Sequence, residues 1–194
     1  MNIIIASNNK GKIKEFKKIL EPMGYNVLSQ NEAGVNIEVN ETGTTFKENA
    51  ELKAEAIYNI KHCAVISDDS GIKVDYLNGE PGIYSARYMG LETDEDRRRC
   101  VLKKLENVED KLRKAEFVCC ICYIDSDGNK HFFEGIWKGK IALKELGENG
   151  FGYDSIFIPN GEEITSAQMS SEEKNNKSHR AIALKKLINL LENK

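Results

Sequence analysis

The sequence predicts an α/β fold in which helices flank a mixed β-sheet, and three features carry that reading. Short β-branched runs ending in polar turns alternate with one-sided amphipathic helices through the first half of the chain, the pattern of strand–helix units. A long hairpin, Phe117 to Ile124 and Lys130 to Ile141, then interrupts the alternation and adds antiparallel pairing. The 194 residues, 40% of them hydrophobic, suit one domain, 1–194, with a sizeable core and room for two lobes around a cleft.

Asn2 to Ala6 reads as a buried strand, followed by a polar turn and a helix from Lys12 to Leu20 with Ile13, Phe16 and Leu20 on one face. Pro22 and Gly24 close that helix. Thr45-Phe46-Lys47-Glu48 has the capping-box spacing and opens a second helix to about Ile60, with Leu52, Ala56 and Ile60 as its apolar face. Cys63 to Ser67 is a second buried strand, ended by the turn-forming Asp68-Asp69-Ser70-Gly71. Thr93 caps a third helix whose first turn carries Asp94, Glu95 and Asp96, acids that suit the positive end of the helix dipole. Asp125-Ser126-Asp127-Gly128 turns the hairpin, a glycine-rich stretch runs from Gly147 to Gly152, and Ser155 to Ile158 is a short strand stopped by Pro159. The last helix spans about Ala181 to Leu191, with Leu184, Leu187, Ile188 and Leu191 inward.

Bulk properties narrow the function. A formal net charge of −3 gives no reason to expect a nucleic-acid partner. No apolar run is long enough to span a bilayer, and the apolar N-terminus is too short for a signal peptide and lacks a basic leader. Five cysteines, three of them crowded at Cys119, Cys120 and Cys122, are no disulfide framework, so the expectation is a reduced, cytoplasmic protein. Cys119 and Cys122 fall on opposite faces of a strand, which argues for buried thiols rather than a zinc site shared with His131.

Four groups of residues could carry chemistry. Ser7-Asn8-Asn9-Lys10-Gly11-Lys12 lies between a strand and a helix N-terminus, where backbone N–H groups and the dipole favour an anion; it is also an ordinary polar turn with surface lysines, and it lacks the Walker spacing. Asp68 and Asp69 sit at the end of a buried strand, where open α/β sheets place ligands, and with Glu41 they offer the hard oxygen donors that Mg²⁺ prefers; the same residues make a good turn. Gly150-Phe151-Gly152-Tyr153-Asp154 flanks an aromatic with glycines, so that a base could stack on Phe151, or Phe151 could simply be buried at a strand entry. Lys174 and Ser178-His179-Arg180 combine donors able to read a purine edge and neutralise phosphate, or cap the last helix.

Each motif alone is weak, but their order is distinctive. Ser7-x-Asn9-x-x-Lys12, Glu41-Thr42-Gly43, Phe46-x-x-Asn49-Ala50-x-x-Lys53-Ala54, Ser67-Asp68-Asp69-Ser70-Gly71, Pro81-Gly82-x-Tyr84-Ser85-Ala86-Arg87, Phe151-Gly152-Tyr153-Asp154, Glu172-Glu173-Lys174 and Ser178-His179-Arg180 follow one another from residue 7 to residue 180. The set resembles the inosine triphosphate pyrophosphatase family, the XTP/dITP diphosphatases. The resemblance implies a mixed α/β fold with two lobes around a deep cleft, usually a homodimer, and Mg²⁺-dependent cleavage of non-standard purine triphosphates (ITP, dITP, XTP) to monophosphate and pyrophosphate, cleansing the nucleotide pool. It implies that Asp69 is the proton acceptor and, with Glu41, a metal ligand, with Asp68 in support. Ser7 to Lys12, Lys53 and Ser70 would hold the triphosphate end, and Phe151, Gly152, Tyr153, Asp154, Lys174, Ser178, His179 and Arg180 the nucleoside. Ser7 stands where threonine is common, and Ser155 where proline is often found, a change expected to loosen the base loop. Two alternatives stay open: a nucleotide sensor that kept the pocket without turnover, and a pyrophosphatase preferring other modified nucleotides.

Overall fold

The computed structural model describes residues 2–193; Met1 and Lys194, the two ends of the expected domain span, lie outside the described residues. Six strands, β1 (Asn2–Ile5), β2 (Asn26–Ser29), β3 (Ala64–Val74), β4 (Lys114–Ile124), β5 (Lys130–Ile141) and β6 (Phe157–Pro159), form one sheet in the order β2-β1-β3-β4-β5-β6. β1 pairs in parallel with β2 (Ile4 opposite Leu28) and with β3 (Ile4 opposite Val65), while β5 and β6 are antiparallel (Lys140 opposite Ile158). The sheet is therefore mixed, as expected. Five helices accompany it among the described residues: α1 (Lys10–Leu20), α2 (Phe46–Lys61), α3 (Asp94–Lys104), α4 (Ser171–Lys177) and α5 (His179–Glu192).

Two compact units can be distinguished, one made of the chain up to Asp69 together with Cys120–Phe133, the other of Ser70–Cys119 together with the chain from Glu134 onward. In the first, Ile4 of β1, Ala6 just after it, Val65 of β3 and Cys122 and Ile124 of β4 pack with Ala50, Ala54 and Ile57 of α2. The buried face of α2 is thus Asn49, Ala50, Ala54 and Ile57, not the expected Leu52, Ala56 and Ile60; Ile60 is exposed. Small alanines let the helix lie close to the sheet, a packing logic that ranking residues by hydrophobicity overlooks. Thr45 caps α2 by accepting from the Glu48 N–H at 3.1 Å, but the Glu48 carboxylate reaches Thr44 rather than closing the box on Thr45.

In the second unit, Ile72, Val74, Val101, Leu105, Phe117, Trp137, Ile141, Tyr153, Ile156, Phe157 and Met169 form the core. Phe117 and Trp137 meet Phe157 edge-on, with centroids 4.7 and 5.4 Å apart. Trp137 is a packing residue.

Four boundaries differ from the expectation. β3 does not stop at Ser67 but runs through Asp68-Asp69-Ser70-Gly71 to Val74; turn-forming residues in the middle of a paired, buried strand follow its pairing rather than their local preference. β2 lacks a long β-branched run and was not anticipated. Asp154–Ile156 form a 3₁₀ turn, leaving only Phe157–Pro159 as β6. A short helix, α4, precedes the last one, closed at its start by a reciprocal capping box between Ser170 and Glu173, and α5 begins at His179.

Candidate active site

In the first unit a charged cluster is built on strand alternation. Successive side chains of β3 point to opposite faces, so the adjacent Asp68 and Asp69 meet different helices. Asp68 Oδ2 pairs with Lys12 Nζ of α1 at 2.9 Å, and Asp69 Oδ1 pairs with Lys53 Nζ of α2 at 2.8 Å. Lys53 Nζ also donates to Glu41 Oε1 at 2.8 Å, so one ammonium joins two carboxylates. Burial works against that charge, but Asp69 and Asp68 outweigh it and hold the Lys53 pKa above the ordinary lysine range. Burial pushes the Asp69 carboxyl up, and Lys53 does not fully offset it.

Glu41 reaches this cluster because its segment is tied to α2. Asn49 Oδ1 accepts the Gly43 N–H at 2.9 Å, and a Cβ on Gly43 would lie 2.6 Å from Glu48 Cβ and 2.7 Å from Asn49 Oδ1. Glycine is required there by close approach.

The loop before α1 is organised by its own side chains. Asn9 is the N-cap, its Oδ1 accepting the N–H groups of Gly11 (2.9 Å) and Lys12 (3.2 Å), while Ser7 Oγ accepts the Asn9 N–H at 3.1 Å. The expectation that this loop offers backbone N–H groups broadly to phosphate needs correction, because three of them are engaged within the loop. Lys12, the Asn9 Nδ2 group and the exposed Asn8 and Lys10 are the donors it presents.

The metal question turns on donor chemistry. Among the described residues no group of three or more His, Cys, Asp or Glu side chains is arranged to hold a metal. Mg²⁺, however, is commonly bound by one or two carboxylates plus substrate phosphates and waters. Glu41 and Asp69 meet at one cation position, taken by the Lys53 ammonium, and buried Asp69 Oδ2 has no hydrogen-bond partner in the protein. These residues fit a magnesium ion recruited together with a triphosphate.

The second unit gathers the expected nucleoside residues around Phe151. That ring is 48% exposed rather than buried, with Lys174 Nζ 5.0 Å and Arg180 Cζ 5.9 Å from its centroid. Asp154 organises the loop: Oδ2 accepts the Phe151 N–H at 2.9 Å and pairs with Lys174 at 2.5 Å, while Oδ1 accepts from Ser166 Oγ at 2.8 Å. Arg180 Nη2 donates to Ser70 Oγ at 3.3 Å. Ser178 caps α5 through the Ala181 N–H, and the His179 ring stacks on Phe117, 4.8 Å between centroids. Tyr153 is buried, its hydroxyl donating to the Ser85 carbonyl at 2.9 Å, and burial raises its pKa. The Ser155 hydroxyl, expected to loosen the loop, instead donates to Glu145 Oε2 at 3.2 Å.

Sequence reasoning missed Asn49, Ser85, Asp94, Arg98 and Glu145 as parts of this framework. Asn49 and Ser85 lay inside quoted motifs; Asp94 was read only as a helix-dipole acid, and Arg98 and Glu145 carried no local signal.

Known proteins resemble the chain over nearly its whole length. The Ham1 family matches residues 3–190. A dITP/XTP pyrophosphatase of Bacillus subtilis is 48% identical over 190 residues, covering 97% of this chain and 96% of the relative. The chain belongs to the Ham1 family. A second dITP/XTP pyrophosphatase, from Clostridium perfringens, is 46% identical over 95% of this chain and 94% of its own length. The solved Ham1 protein of Staphylococcus aureus superposes with a TM-score of 0.92 at 46% identity, covering 100% of this chain and 99% of that one. A Ham1 protein from Coxiella burnetii gives 0.93 at 36% identity, covering 100% of both. The resemblance read from the motifs and the mixed α/β fold are both borne out.

Proposed function

We propose that this Ham1 family member is a Mg²⁺-dependent pyrophosphatase that cleaves the triphosphates of hypoxanthine and xanthine nucleosides to monophosphate and pyrophosphate. The observation that carries the reading is the β3 cluster, in which Glu41, Asp69 and Lys53 converge and Asp69 keeps one buried carboxylate oxygen without a protein partner. The dITP/XTP pyrophosphatases that resemble this chain over nearly its whole length support the same activity.

Glu41 and Asp69 would hold Mg²⁺ together with the substrate, where the ion would supply Lewis-acid neutralisation of phosphate charge. Asp69 orients a water for attack on the α-phosphorus and accepts its proton; burial gives this carboxylate a higher proton affinity than an exposed one, which suits a base. Lys12 and Lys53 exchange their carboxylate partners for phosphate oxygens and hold the leaving pyrophosphate. No covalent enzyme intermediate is needed. The base stacks on the exposed Phe151 ring, and Lys174, His179 and Arg180 supply donors for a 6-oxo group. Adenine presents an amine there and leaves those donors unpaired, so ATP is a poor substrate. Reduced thiols at all five cysteines suit the cytoplasm, and among the described residues no helix is long and apolar enough to cross a membrane. A homodimer follows from the family resemblance and is checked by sedimentation.

Pyrophosphate release measured with Mg²⁺ across inosine, xanthosine, guanosine, adenosine and thymidine triphosphates tests the proposal. Selective turnover of the inosine and xanthosine compounds is expected. Tight binding of one of them without release from any makes the chain a nucleotide sensor, and turnover confined to other bases redirects the specificity.

A further inference from the structure

The loop that carries Phe151 is gripped by a helix to which none of the sequence motifs points. Gly152 follows Phe151 with φ of +62°, and α3 holds both sides of its peptide. Its N–H donates to Asp94 Oδ2 at 3.0 Å, and its carbonyl accepts from Arg98 Nη1 at 2.9 Å. Neither side chain is loose. Asp94 Oδ1 accepts from Arg97 Nη2 at 2.7 Å, and Arg97 Nη1 is anchored on the Leu91 carbonyl at 2.7 Å. Arg98 Nε donates to Glu145 Oε2 at 2.6 Å, the same oxygen that accepts the Ser155 hydroxyl. Burial pushes the Asp94 carboxyl up, but the bonds from Arg97 and the Gly152 N–H outweigh it and keep it below the usual range, so it is charged at neutral pH.

The loop is thus tied to one carboxylate and one guanidinium at Gly152, and again through Glu145 at Ser155, with the Phe151 N–H fixed separately on Asp154. Such bonds set the height and tilt of a ring that otherwise stands half exposed. The Ser155 hydroxyl makes a bond that a proline at that position could not.

We propose that Asp94 and Arg98 are positioning residues for base selectivity: through Gly152 they hold the Phe151 ring in the attitude in which a 6-oxopurine stacked on it is met by the neighbouring donors Lys174 and Arg180. The inference rests on the functional reading given above. Phe151 touches the base; Asp94 and Arg98 act through it. Displacing a stacking platform weakens ground-state recognition more than chemistry at the phosphorus, so the loss falls on KM rather than kcat.

The test is steady-state turnover of inosine and adenosine triphosphates by the full chain and its variants. For Asp94→Ala and Arg98→Ala, KM for inosine triphosphate is expected to rise about tenfold, with kcat within about twofold, and the preference over adenosine triphosphate to fall by a similar factor. Asp94→Asn keeps an oxygen for the Gly152 N–H and should recover most of the preference. Glu95→Ala, on the same helix and paired only with Arg99, is the control. Should Asp94→Ala lose its fold by circular dichroism, Asp94→Asn and Arg98→Ala carry the test. A wild-type preference that survives in Arg98→Ala with unchanged KM, or a fall in kcat alone for both nucleotides, overturns the proposal while leaving the functional reading intact. A wild-type enzyme that turns over both nucleotides without preference overturns that reading and this proposal with it.

Discussion

Replacing Lys53 with methionine isolates the electrostatics of the β3 cluster. Lys53 Nζ lies 2.8 Å from oxygens of both Glu41 and Asp69, so those oxygens are at most about twice that distance apart. Without the ammonium, two carboxylates face each other across that gap, and at an effective dielectric of roughly 20 their repulsion is about 3 kcal/mol. Methionine preserves the aliphatic stem and adds no counter-charge, so the variant should lose about 2–3 kcal/mol at neutral pH, at or below the low end for breaking a fully buried pair because all three groups keep some contact with water. A divalent cation can take the vacated position. Mg²⁺ should therefore restore much of the lost stability in the variant and add little to the ligand-free wild type, where the ammonium competes for the same oxygens. Urea denaturation of both proteins, with and without Mg²⁺, measures this directly. Equal stabilities without metal, or equal stabilisation of the two by Mg²⁺, would refute the account of Glu41 and Asp69 as one cation position.

Three further outcomes follow from the same contacts. Asp69→Asn should lower kcat about 10³-fold, the middle of the range one general base supplies, while nucleotide binding measured calorimetrically persists; undiminished turnover would remove Asp69 from the base role. Glu32 accepts the Ser29 N–H at 2.7 Å and pairs with Lys17, and these bonds hold its pKa down at about 2. Its contribution to stability, taken as wild type minus Glu32→Gln, should be full above about pH 4.5 and vanish as pH falls through about 2, as acid-denaturation curves of the two would show. Gly135→Ala would place a Cβ 2.0 Å from the His179 carbonyl oxygen, a backbone atom that cannot step aside, so a loss of about 3 kcal/mol or failure to fold is expected in thermal melts.

The sequence made the fold class and most elements legible because hydrophobic periodicity reports local structure well: α1, α3, α5 and the hairpin fall within a few residues of their expected bounds. What escaped it was decided by neighbours distant in sequence. Asp68 to Gly71 look like a turn, but pairing carries them along β3. Alanines 50 and 54 look unremarkable, but they mark where α2 touches the sheet. At the site, Lys12, Lys53, Asp68, Asp69 and Glu41 could be named from ordered motifs, and the structure brings them together in pairs that no local pattern encodes. Asp94 was legible only as a helix-dipole acid, and its second role depends on a glycine 58 residues away.

One strand step organises the chemistry of the first unit. Because side chains alternate along β3, two consecutive aspartates address two helices, and each takes a lysine that would otherwise be mobile: Lys12 on Asp68 and Lys53 on Asp69. In the second unit Asp154 does the same for Lys174. Each lysine is therefore already aimed and partly desolvated before an anion arrives, and each has a carboxylate to release when it binds. Any anion arriving at Lys12 or Lys53 must displace an existing partner, and on the proposed function a triphosphate is spared the cost of ordering those two flexible side chains. A single phosphate competes with one carboxylate at a time and gains little. On the proposed function a divalent cation arriving with a polyphosphate would be held by Glu41 and Asp69, which would leave the Lys53 ammonium free to turn to phosphate oxygen. On that proposal the cation and the triphosphate would reinforce each other's binding, because the cation would take the two carboxylates that otherwise compete with phosphate for the Lys53 ammonium.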